Sequence, residues 1–429
     1  MTLRYLYTTL LYLLMPAILL RLAYRGLSAR AYWRRWPERY GFFKQPPPGK
    51  ARRGLWIHAV SVGEAQAAVP IVEALLQRYP HVPVTITTTT PTGLARVQAH
   101  FGERVSAGYL PYDLPRAIER FLSRVDPRVA IIMETELWPN LFVHLRRRSI
   151  PIVVANARLS ARSARGYRRI APLTRETLAQ ITLIAAQDAV DAHRFVALGA
   201  RNDQVVVTGS VKFDVTIPED LSGTALQLRQ RWGISRPVWI AASTRRGEEV
   251  LILEAFTQLR HAYPQLLLIL VPRHPERFDE VVTLTQTYGF NTARRSRDRY
   301  GSAQCDVFIG DTMGELLLLY HCADVAFVGG TLVATGGHNV LEPAAVGIPT
   351  VVGPHTFNFA QITALLLEAN ALQQIQNPQQ LAPALQTLLA NSELRLQMGR
   401  RGRELVQKNR GATQRVVGLV ERLMAISSH

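Results

Sequence analysis

The feature that most constrains this sequence is a regular alternation of short, β-rich apolar runs with stretches of helical length, which occurs in both halves of the chain. In the first half, the runs predicted as strands are residues 55–60, 82–88, 128–133, 151–155, 182–186 and 204–207. In the second half, they are residues 238–242, 266–271, 306–309, 325–328 and 350–352. Strands of this kind, separated by helices, form a parallel sheet that helices cover on both faces. The sequence therefore predicts two successive α/β domains.

The length of the chain, 429 residues, suits two domains better than a single core. We predict a first domain over residues 50–220 and a second over 232–429, joined by a polar connection at 221–231. The second domain is expected to end in a helical tail from about residue 379, and the proline-rich stretch 44–50 is predicted to be a linker. Two such halves leave a cleft between them, and ligands of these folds lie at the carboxyl ends of the strands.

The N-terminus carries an almost wholly apolar run over residues 5–20, which Arg21 and Arg25 follow. This run is slightly shorter than the roughly 20 residues that span a bilayer, and the arginines behind it favour a cytoplasmic position. We predict that residues 1–25 form a membrane anchor, with the body of the protein on the cytoplasmic face of the inner membrane. The alternative is a core or interfacial helix whose arginines meet anionic headgroups.

The formal net charge is +18, which indicates an anionic partner. Because the chain has no zinc-finger spacing and no RNA-binding aromatic signature, an anionic membrane or a phosphorylated substrate is favoured over nucleic acid. A genome that favours arginine codons would account for part of this bias. The two cysteines, Cys305 and Cys322, exclude a disulfide framework and are predicted to be buried near strand starts.

Charged residues follow three of the predicted strands in the first half. Glu64 comes after strand 55–60, Glu134 and Glu136 come after strand 128–133, and Lys212 comes after strand 204–207. Three of them have a structural alternative: Glu64 could complement a helix N-terminus, Glu136 could be a helix cap, and Lys212 could be a surface lysine. Glu134 is nearer the strand and is expected to face the site. In the functional interpretation, carboxylates at the strand ends face the site. Lys212 is then a phosphate partner or a counter-ion to Glu134.

Polar, glycine-containing loops follow the strands of the second half. The fingerprint G-x-G-x-x-G and the Walker A loop are absent, which argues against a dinucleotide oxidoreductase and a P-loop kinase. Each loop alone is a weak signal, but together they predict a nucleotide site, with arginine and backbone N–H groups suited to phosphate. These loops are residues 271–275, 310–315, 329–331, 336–343 and 353–359.

Seven motifs in combination resemble one family, the 3-deoxy-D-manno-octulosonic acid (Kdo) transferases, and the resemblance covers nearly the whole chain. The motifs are S-V-G-E at 61–64, E-T-E-L-W-P-N at 134–140, G-S-V-K-F-D at 209–214, P-R-H-P-E-R-F at 272–278, G-D-T-M-G-E-L at 310–316, G-G-H-N-x-L-E-P-A at 336–344 and G-P-H-T-F-N-F at 353–359.

This resemblance implies a GT-B glycosyltransferase fold, in which two Rossmann-like domains face a cleft. It further implies an inverting, metal-independent transfer that needs no cofactor, with CMP-Kdo as donor and a phosphorylated lipid A precursor as acceptor. By resemblance, Glu64 is the general base, and Glu134 and Lys212 stabilise the transition state. The residues that align with the CMP site are Pro272, Arg273, Met313, Gly314, Glu315, Asn339, Val340, Leu341 and Glu342.

The sequence departs from the family pattern in the turn after strand 238–242. Here Arg245 stands where the family often has histidine, so it could take over a phosphate contact or point away. Thr331 and Ala334 stand where serine and proline are common, and both changes are mild.

Two other functions stay open at this stage. A GT-B transferase or epimerase that uses a UDP-sugar would share the fold, and binding of CMP against UDP would separate it. A non-catalytic, basic, membrane-surface protein would need neither the strand-end carboxylates nor the nucleotide loops.

Overall fold

The computed structural model describes residues 2–43, 53–218, 220–298 and 301–426, so the predicted linker at 44–50 lies outside the described residues. The chain divides into two compact units. The first domain holds the residues up to Asp214 together with the C-terminal residues from Arg410, and the second holds Val215–Asn409.

The first domain contains an N-terminal helix followed by a regular alternation of strands and helices. Its elements are α1 Thr2–Ser28, β1 Leu55–His58, α2 Val62–Arg78, β2 Val84–Thr88, α3 Pro91–Phe101, β3 Ser106–Tyr109, α4 Pro115–Val125, β4 Val129–Met133, α5 Pro139–Arg147, β5 Ile152–Ala157, α6 Ala161–Arg168, α7 Ala171–Leu178, β6 Leu183–Ala186, α8 Ala189–Ala197 and β7 Val205–Val207.

The seven strands form one parallel sheet in the order β3-β2-β1-β4-β5-β6-β7. Alternate residues face two separate cores, with Ile57 and Ile131 on one side of the sheet and Trp56 and Ile132 on the other. The strand order reverses at β1 and β4, which makes their carboxyl ends the topological switch point where ligands of such sheets bind.

The second domain repeats this plan. Its elements are α9 Leu221–Trp232, β8 Val238–Thr244, α10 Glu248–Ala262, β9 Leu267–Pro272, α11 Phe278–Thr287, β10 Thr292–Arg294, β11 Val307–Ile309, α12 Leu316–His321, β12 Val325–Val328, α13 Leu341–Val346, β13 Thr350–Val352, α14 Ala360–Glu368, β14 Leu372–Gln374, α15 Leu381–Ala390 and α16 Ser392–Asn409. The parallel sheet has the order β10-β11-β9-β8-β12-β13-β14, so its switch point lies between β8 and β12.

The predicted α/β class with two parallel sheets is thus confirmed, but two segments differ from expectation. The stretch 221–231, expected as a polar connection, is helix α9, because its Leu228 and Trp232 side chains are buried in the core of the second domain. The single predicted tail is three helices, which break at Asn391 and Gly411.

The last of these helices, α17 (Ala412–Ile426), packs on the first domain, although the sequence placed the whole tail in the second. Its Val416 and Val420 join the core that helix α2 also lines. The carboxylate of Asp214 accepts hydrogen bonds of 2.6 Å from the backbone N–H groups of Gly411 and Thr413, which fixes the start of the helix.

Helix α1 contains the predicted membrane anchor. Over Leu3–Leu27 it is long and apolar enough to cross a membrane by length and composition, with a mean hydropathy of 1.7. The two cysteines, Cys305 and Cys322, are buried as predicted.

Candidate functional site

Glu64 lies in the first turn of helix α2, directly after β1. The hydroxyl of Ser61 caps the helix by accepting from the backbone N–H of Glu64 at 3.3 Å. In return the Glu64 carboxylate accepts from the backbone N–H of Val60 at 2.8 Å and from the Ser61 hydroxyl at 3.2 Å. This reciprocal arrangement holds the carboxylate at the end of the strand.

Glu134 and Glu136 follow the neighbouring strand β4. Glu134 has a left-handed backbone, with φ of 56°, and its N–H donates to the carbonyl of Ala155 on β5 at 2.9 Å. A side chain with a Cβ adopts this conformation at a cost of about 1–2 kcal/mol, and such strain is concentrated at functional sites. The strained residue lies directly at the end of β4, and Glu136 follows two residues later.

The sheet brings these three carboxylates together at the switch point. Burial raises the pKa of Glu64 to about 7, and the negative charges of Glu134 and Glu136 contribute to the rise. Burial also raises the pKa of Glu136 to about 7, with Glu134 adding to it. A carboxyl group that titrates near neutral pH is suited to take up a proton during a reaction.

Lys212 is partly buried in the short turn Val211–Phe213, which follows β7 and packs against helix α2. The backbone N–H of Val211 donates to the side-chain oxygen of Asn156 at 3.2 Å. Asn156 is fully buried in β5 and has a φ of 54°. The sequence analysis missed this residue, whose only signal is an amide near the end of an apolar strand.

In the second domain, Arg245 and Arg273 follow the neighbouring strands β8 and β9. The backbone N–H of Arg273 donates to the carbonyl of Thr244 at 3.0 Å, which ties the two loops together. The guanidinium of Arg245 contacts both Nε2 of His338 at 3.1 Å and Nε2 of His274 at 2.5 Å. Arg245 therefore points toward the polar loops rather than away from them.

These side chains form a positively charged cluster. Burial lowers the pKa of His338 to about 4, and the charges of Arg245 and Arg273 add to this effect. Burial and the charge of Arg245 also lower the pKa of His274. Two guanidinium groups beside neutral imidazoles provide several hydrogen-bond donors for an anion such as phosphate.

A buried carboxylate that the sequence analysis missed, Glu248, organises these loops. It accepts from the backbone N–H groups of Gly330, Thr331 and Leu332 at 2.6, 3.0 and 2.9 Å, and from that of Arg245 at 2.9 Å. It thereby joins the turn after β8 to the glycine loop after β12.

The remaining predicted residues lie in the loops around α12 and α13. Asn339 donates to the Glu342 carboxylate at 2.9 Å and accepts from the backbone N–H of Leu341 at 3.0 Å. Burial raises the pKa of Glu342, against the opposing effects of Asn339 and the charge of Arg273, so Glu342 lies near the cationic cluster. Val340 is buried under this turn.

Glycine is required in the loop before Asn339. Gly336 has a φ of 92°, and a Cβ there would lie 2.4 Å from the Phe357 ring. The backbone N–H of Asn358 donates to the Gly336 carbonyl at 2.9 Å, so the motif at 353–359 packs directly on this loop.

In the turn Met313–Gly314–Glu315, the methionine is exposed and the glutamate is held by an arginine. Met313 is 66% exposed, and Gly314 has a φ of 88°. The Glu315 carboxylate accepts from Arg295 Nε and Nη2 at 2.9 and 2.6 Å, while Asp311 is paired with Arg294 at 2.7 Å. Within the described ranges, no group of three or more histidine, cysteine, aspartate or glutamate residues could hold a metal ion.

Comparison with known proteins relates both halves of the chain to described families. Residues 34–215 match the family model described as 3-deoxy-D-manno-octulosonic-acid transferase (kdotransferase). Residues 248–405 match the model described as glycosyl transferases group 1.

Relatives match over almost the full length. A 3-deoxy-D-manno-octulosonic acid transferase from Haemophilus influenzae is 45% identical over 422 residues, which cover 97% of this chain and 98% of that protein. The transferase of the same name from Bordetella pertussis is 38% identical over 430 residues, covering 97% and 98%.

Among solved structures, the Staphylococcus aureus MnaA–UDP co-structure has a TM-score of 0.55 and covers 88% of this chain and 98% of that one. At 15% identity this likeness shows the fold alone. The long, closely similar relatives show more: the chain is a glycosyltransferase of GT-B fold and belongs to the 3-deoxy-D-manno-octulosonic acid transferase family.

Proposed function

We propose that this protein transfers Kdo from CMP-Kdo to a hydroxyl of the glucosamine disaccharide of the lipid A precursor lipid IVA, in lipopolysaccharide core biosynthesis. The observation that carries the proposal is the carboxylate Glu64, which lies at the switch point of the first sheet with a pKa raised to about 7. A general base of this kind is what transfer to a sugar hydroxyl requires.

Glu64 acts as the general base. The acceptor hydroxyl has a pKa far above 7, so its proton must leave as its oxygen bonds to the anomeric carbon of Kdo. A positioned carboxylate that accepts this proton contributes roughly 10²–10⁴-fold to the rate. The bond from the anomeric carbon to the phosphate oxygen breaks in the same displacement, so the configuration inverts.

Glu134 and Lys212 stabilise the transition state from the first domain. Positive charge develops on the sugar as the bond to phosphate breaks, and a carboxylate such as Glu134 stabilises it. The compact ammonium of Lys212 meets negative charge, either on the leaving phosphate or on the Kdo carboxylate.

The second domain binds the CMP group. Arg273 binds the phosphate, with Arg245 beside it. Because CMP-Kdo has one phosphate, arginine and lysine suffice to neutralise the leaving group without a bridging metal. The ribose and the base are bound by the other predicted residues of the site, Pro272, Met313, Gly314, Glu315, Asn339, Val340, Leu341 and Glu342.

The acceptor explains the basic, partly apolar surface of the first domain. A lipid A precursor carries two phosphates and several acyl chains, so the enzyme has to work at a membrane surface. We place the protein on the cytoplasmic face of the inner membrane, with helix α1 at the lipid. Exposed arginines of the first domain are suited to anionic headgroups and acceptor phosphates.

The test uses the purified full-length protein with CMP-Kdo and lipid IVA, and the mass of the product is measured. The expected result is an increase by one or more Kdo residues, unchanged when EDTA is added. No mass increase with CMP-Kdo, together with tighter binding of UDP than of CMP, would favour a UDP-sugar enzyme instead. Activity that EDTA removes and magnesium restores would contradict metal independence.

A further inference from the structure

Helix α1 is not a separate anchor, because one narrow face of it is docked on the first domain. Three side chains on one face are buried: Arg4, Met15 and Leu22, which are 5%, 9% and 8% exposed. From Arg4 to Leu22 the helix runs for about 27 Å, at 1.5 Å per residue. This docked length is close to the roughly 30 Å thickness of a bilayer's hydrocarbon core.

A group of polar residues, buried except for the half-buried Thr8, holds the N-terminal half of α1, and we call Arg4, Thr8, Asp113 and Asn140 the polar latch. Arg4 Nη1 donates to Asn140 Oδ1 at 3.1 Å, and Asn140 Nδ2 donates to the Thr8 hydroxyl at 2.9 Å. The Asp113 carboxylate accepts from the backbone N–H groups of Asn140 and Leu141 at 3.0 and 2.8 Å. Buried polar groups of this kind are costly to separate, because each would lose its partners.

Apolar packing holds the C-terminal half. Met15 packs against Leu114 and Ala117 of the first domain. The short turn Arg30–Trp33 follows the helix in sequence and folds back onto its last turns. There the Trp33 indole donates to the carbonyl of Ala23 at 3.0 Å. The domain therefore holds the helix through the polar latch near its N-terminus and through the packing of Met15, Ile18 and Leu19 further along.

The opposite face of α1 is an apolar ridge exposed along the whole helix. Leu6, Leu13, Leu20 and Leu27 are 64%, 72%, 72% and 71% exposed, and each lies seven residues after the last. Residues that recur every seven positions lie nearly in one line along a helix. An exposed apolar strip of this length marks a surface for a partner or a membrane.

The charges beside the ridge select a lipid partner. Arg21, Arg25, Arg30 and Arg34 are all exposed at the C-terminal end of the helix and in the turn behind it. Arginines next to an apolar helix face bind anionic headgroups while the apolar side chains enter the acyl region.

These observations decide how the helix meets the bilayer. If α1 crossed the membrane, its docked face would carry the polar latch and the adjoining surface of the first domain into the hydrocarbon, where charged groups are strongly disfavoured. We propose that α1 lies in the plane of the membrane, docked on the first domain through the polar latch, and inserts only its leucine ridge into an anionic leaflet. This inference rests on the proposed function for the presence of a membrane-bound acceptor.

The polar latch also connects the membrane surface to the candidate site. Asn140 belongs to the same motif as Glu134 and Glu136, and it lies in the first turn of the helix that follows them. A helix held at the lipid surface and bonded to Asn140 fixes the height of this carboxylate turn above the membrane. A hydroxyl at the headgroup level would then meet the carboxylates without the acceptor leaving the bilayer.

The test measures the depth of the four ridge positions in vesicles that contain anionic lipid. Leu6→Cys, Leu13→Cys, Leu20→Cys and Leu27→Cys are labelled one at a time with an environment-sensitive fluorophore, in the full-length protein. The native cysteines are buried, and the unsubstituted protein reports their background labelling. Quenching by nitroxides placed at a shallow and at a deep acyl position gives the depth of each label.

The expected result is a similar, shallow depth at all four positions. Deep quenching at Leu13→Cys and Leu20→Cys, with shallow quenching at the two ends, would show a helix that crosses the bilayer and would overturn the proposal. An absence of quenching at all four positions would overturn it equally. Val190→Cys, at a 56% exposed position on helix α8, is the matched control expected to stay unquenched.

This experiment needs neither donor nor acceptor, so it separates the two proposals. Equal shallow depths in a protein that transfers no Kdo would support the in-plane helix and contradict the proposed function. Transfer of Kdo by a protein whose helix crosses the bilayer would do the reverse.

Discussion

The two domains use the same sheet design to build sites of opposite charge. At the switch point of the first sheet, the side chains that follow β1 and β4 are the carboxylates Glu64, Glu134 and Glu136. In the second domain, the side chains after β8 and β9 include Arg245 and Arg273. The sheet therefore determines where a site forms, while the residues in the loops determine its chemistry.

In each site, burial shifts the pKa of a titratable group away from its ordinary value. In the first domain, burial and mutual repulsion keep a fraction of the Glu64 carboxyl groups protonated at neutral pH. In the second, burial and neighbouring arginines keep His338 uncharged, since its pKa is lowered to about 4. The first site is suited to exchange a proton, and the second is suited to bind an anion without exchanging one.

The largest expected effect separates proton transfer from nucleotide binding. Glu64→Gln should reduce kcat by roughly 10²–10⁴-fold, because the amide cannot accept the proton of the acceptor hydroxyl. CMP binding should be unchanged, because the arginine cluster belongs to the second domain. Glutamine can still accept the hydrogen bond from Val60, so the helix start should persist, and circular dichroism checks the fold.

The matched control is Glu103→Gln, which removes an exposed carboxylate from the same domain. It should leave both kcat and CMP binding unchanged. Near-normal turnover by folded Glu64→Gln would show that Glu64 is not the general base. The contrast between a proton-exchanging first site and an anion-binding second site would then fail.

A second substitution tests the role of Lys212 in the first domain. Lys212→Ala should lower kcat by on the order of 10²-fold, as for other removed charge stabilisers, and should affect CMP binding less. The reason is that charge on the departing phosphate grows as the bond breaks, so the interaction is stronger in the transition state.

Two further variants test whether the effect depends on the shape of the charged group and on its position. Lys212→Arg should not fully restore activity, because the planar guanidinium does not reproduce a compact ammonium. Lys408→Ala, at an exposed position of helix α16, is the matched control. An unchanged kcat for Lys212→Ala would return this residue to a structural role.

Arg245 tests the anion-binding character of the second domain. Within the described part of the chain, its guanidinium contacts two imidazoles and pairs with no carboxylate. Arg245→Ala should weaken CMP binding by about 10-fold or more, since a hydrogen bond to a charged group contributes about 1.5–3 kcal/mol. Isothermal titration with CMP and with cytidine separates the phosphate contribution, because cytidine binding should not change.

The neighbouring arginine provides the control for this measurement. Arg246 is exposed and pairs with Glu280 at the surface, so Arg246→Ala should bind CMP normally. Equal losses of CMP and cytidine binding for Arg245→Ala would mean that Arg245 only supports the loop, through its contacts with His274 and His338.

The sequence allowed the central strands and the polar loops to be predicted, but of the edge strands in the two described sheets it indicated only β7, whose run of valines is apolar. Central strands such as 129–133 are buried on both faces and are therefore continuously apolar. The missed strands β3, β10 and β14 lie at edges or next to them and are only partly buried, so their sequences carry no apolar run.

Long-range contacts could not be predicted for a different reason. Glu248 bonds to backbone groups more than 80 residues away, and Asp214 fixes a helix start almost 200 residues away. No local pattern encodes such partners, because a carboxylate has the same preference for a backbone N–H wherever the chain supplies it. The candidate site residues were predicted from motifs, whereas the residues that position them were not.

The smallest expected effect concerns the repulsion among the carboxylates of the first domain. Glu64 must be ionised to act as a base, so activity should be complete above its pKa of about 7 and should fall as the pH drops through that value. The charge of Glu136 contributes to this raised pKa. Glu136→Gln should therefore lower the pKa of Glu64 and move the acidic limb of the kcat/KM profile to lower pH.

Glu103→Gln should leave that limb in place, since the Glu103 carboxylate is exposed to solvent. A limb that stays fixed in Glu136→Gln but disappears in Glu64→Gln would show that burial alone sets the pKa of the base, and the neighbouring carboxylates would then need another role.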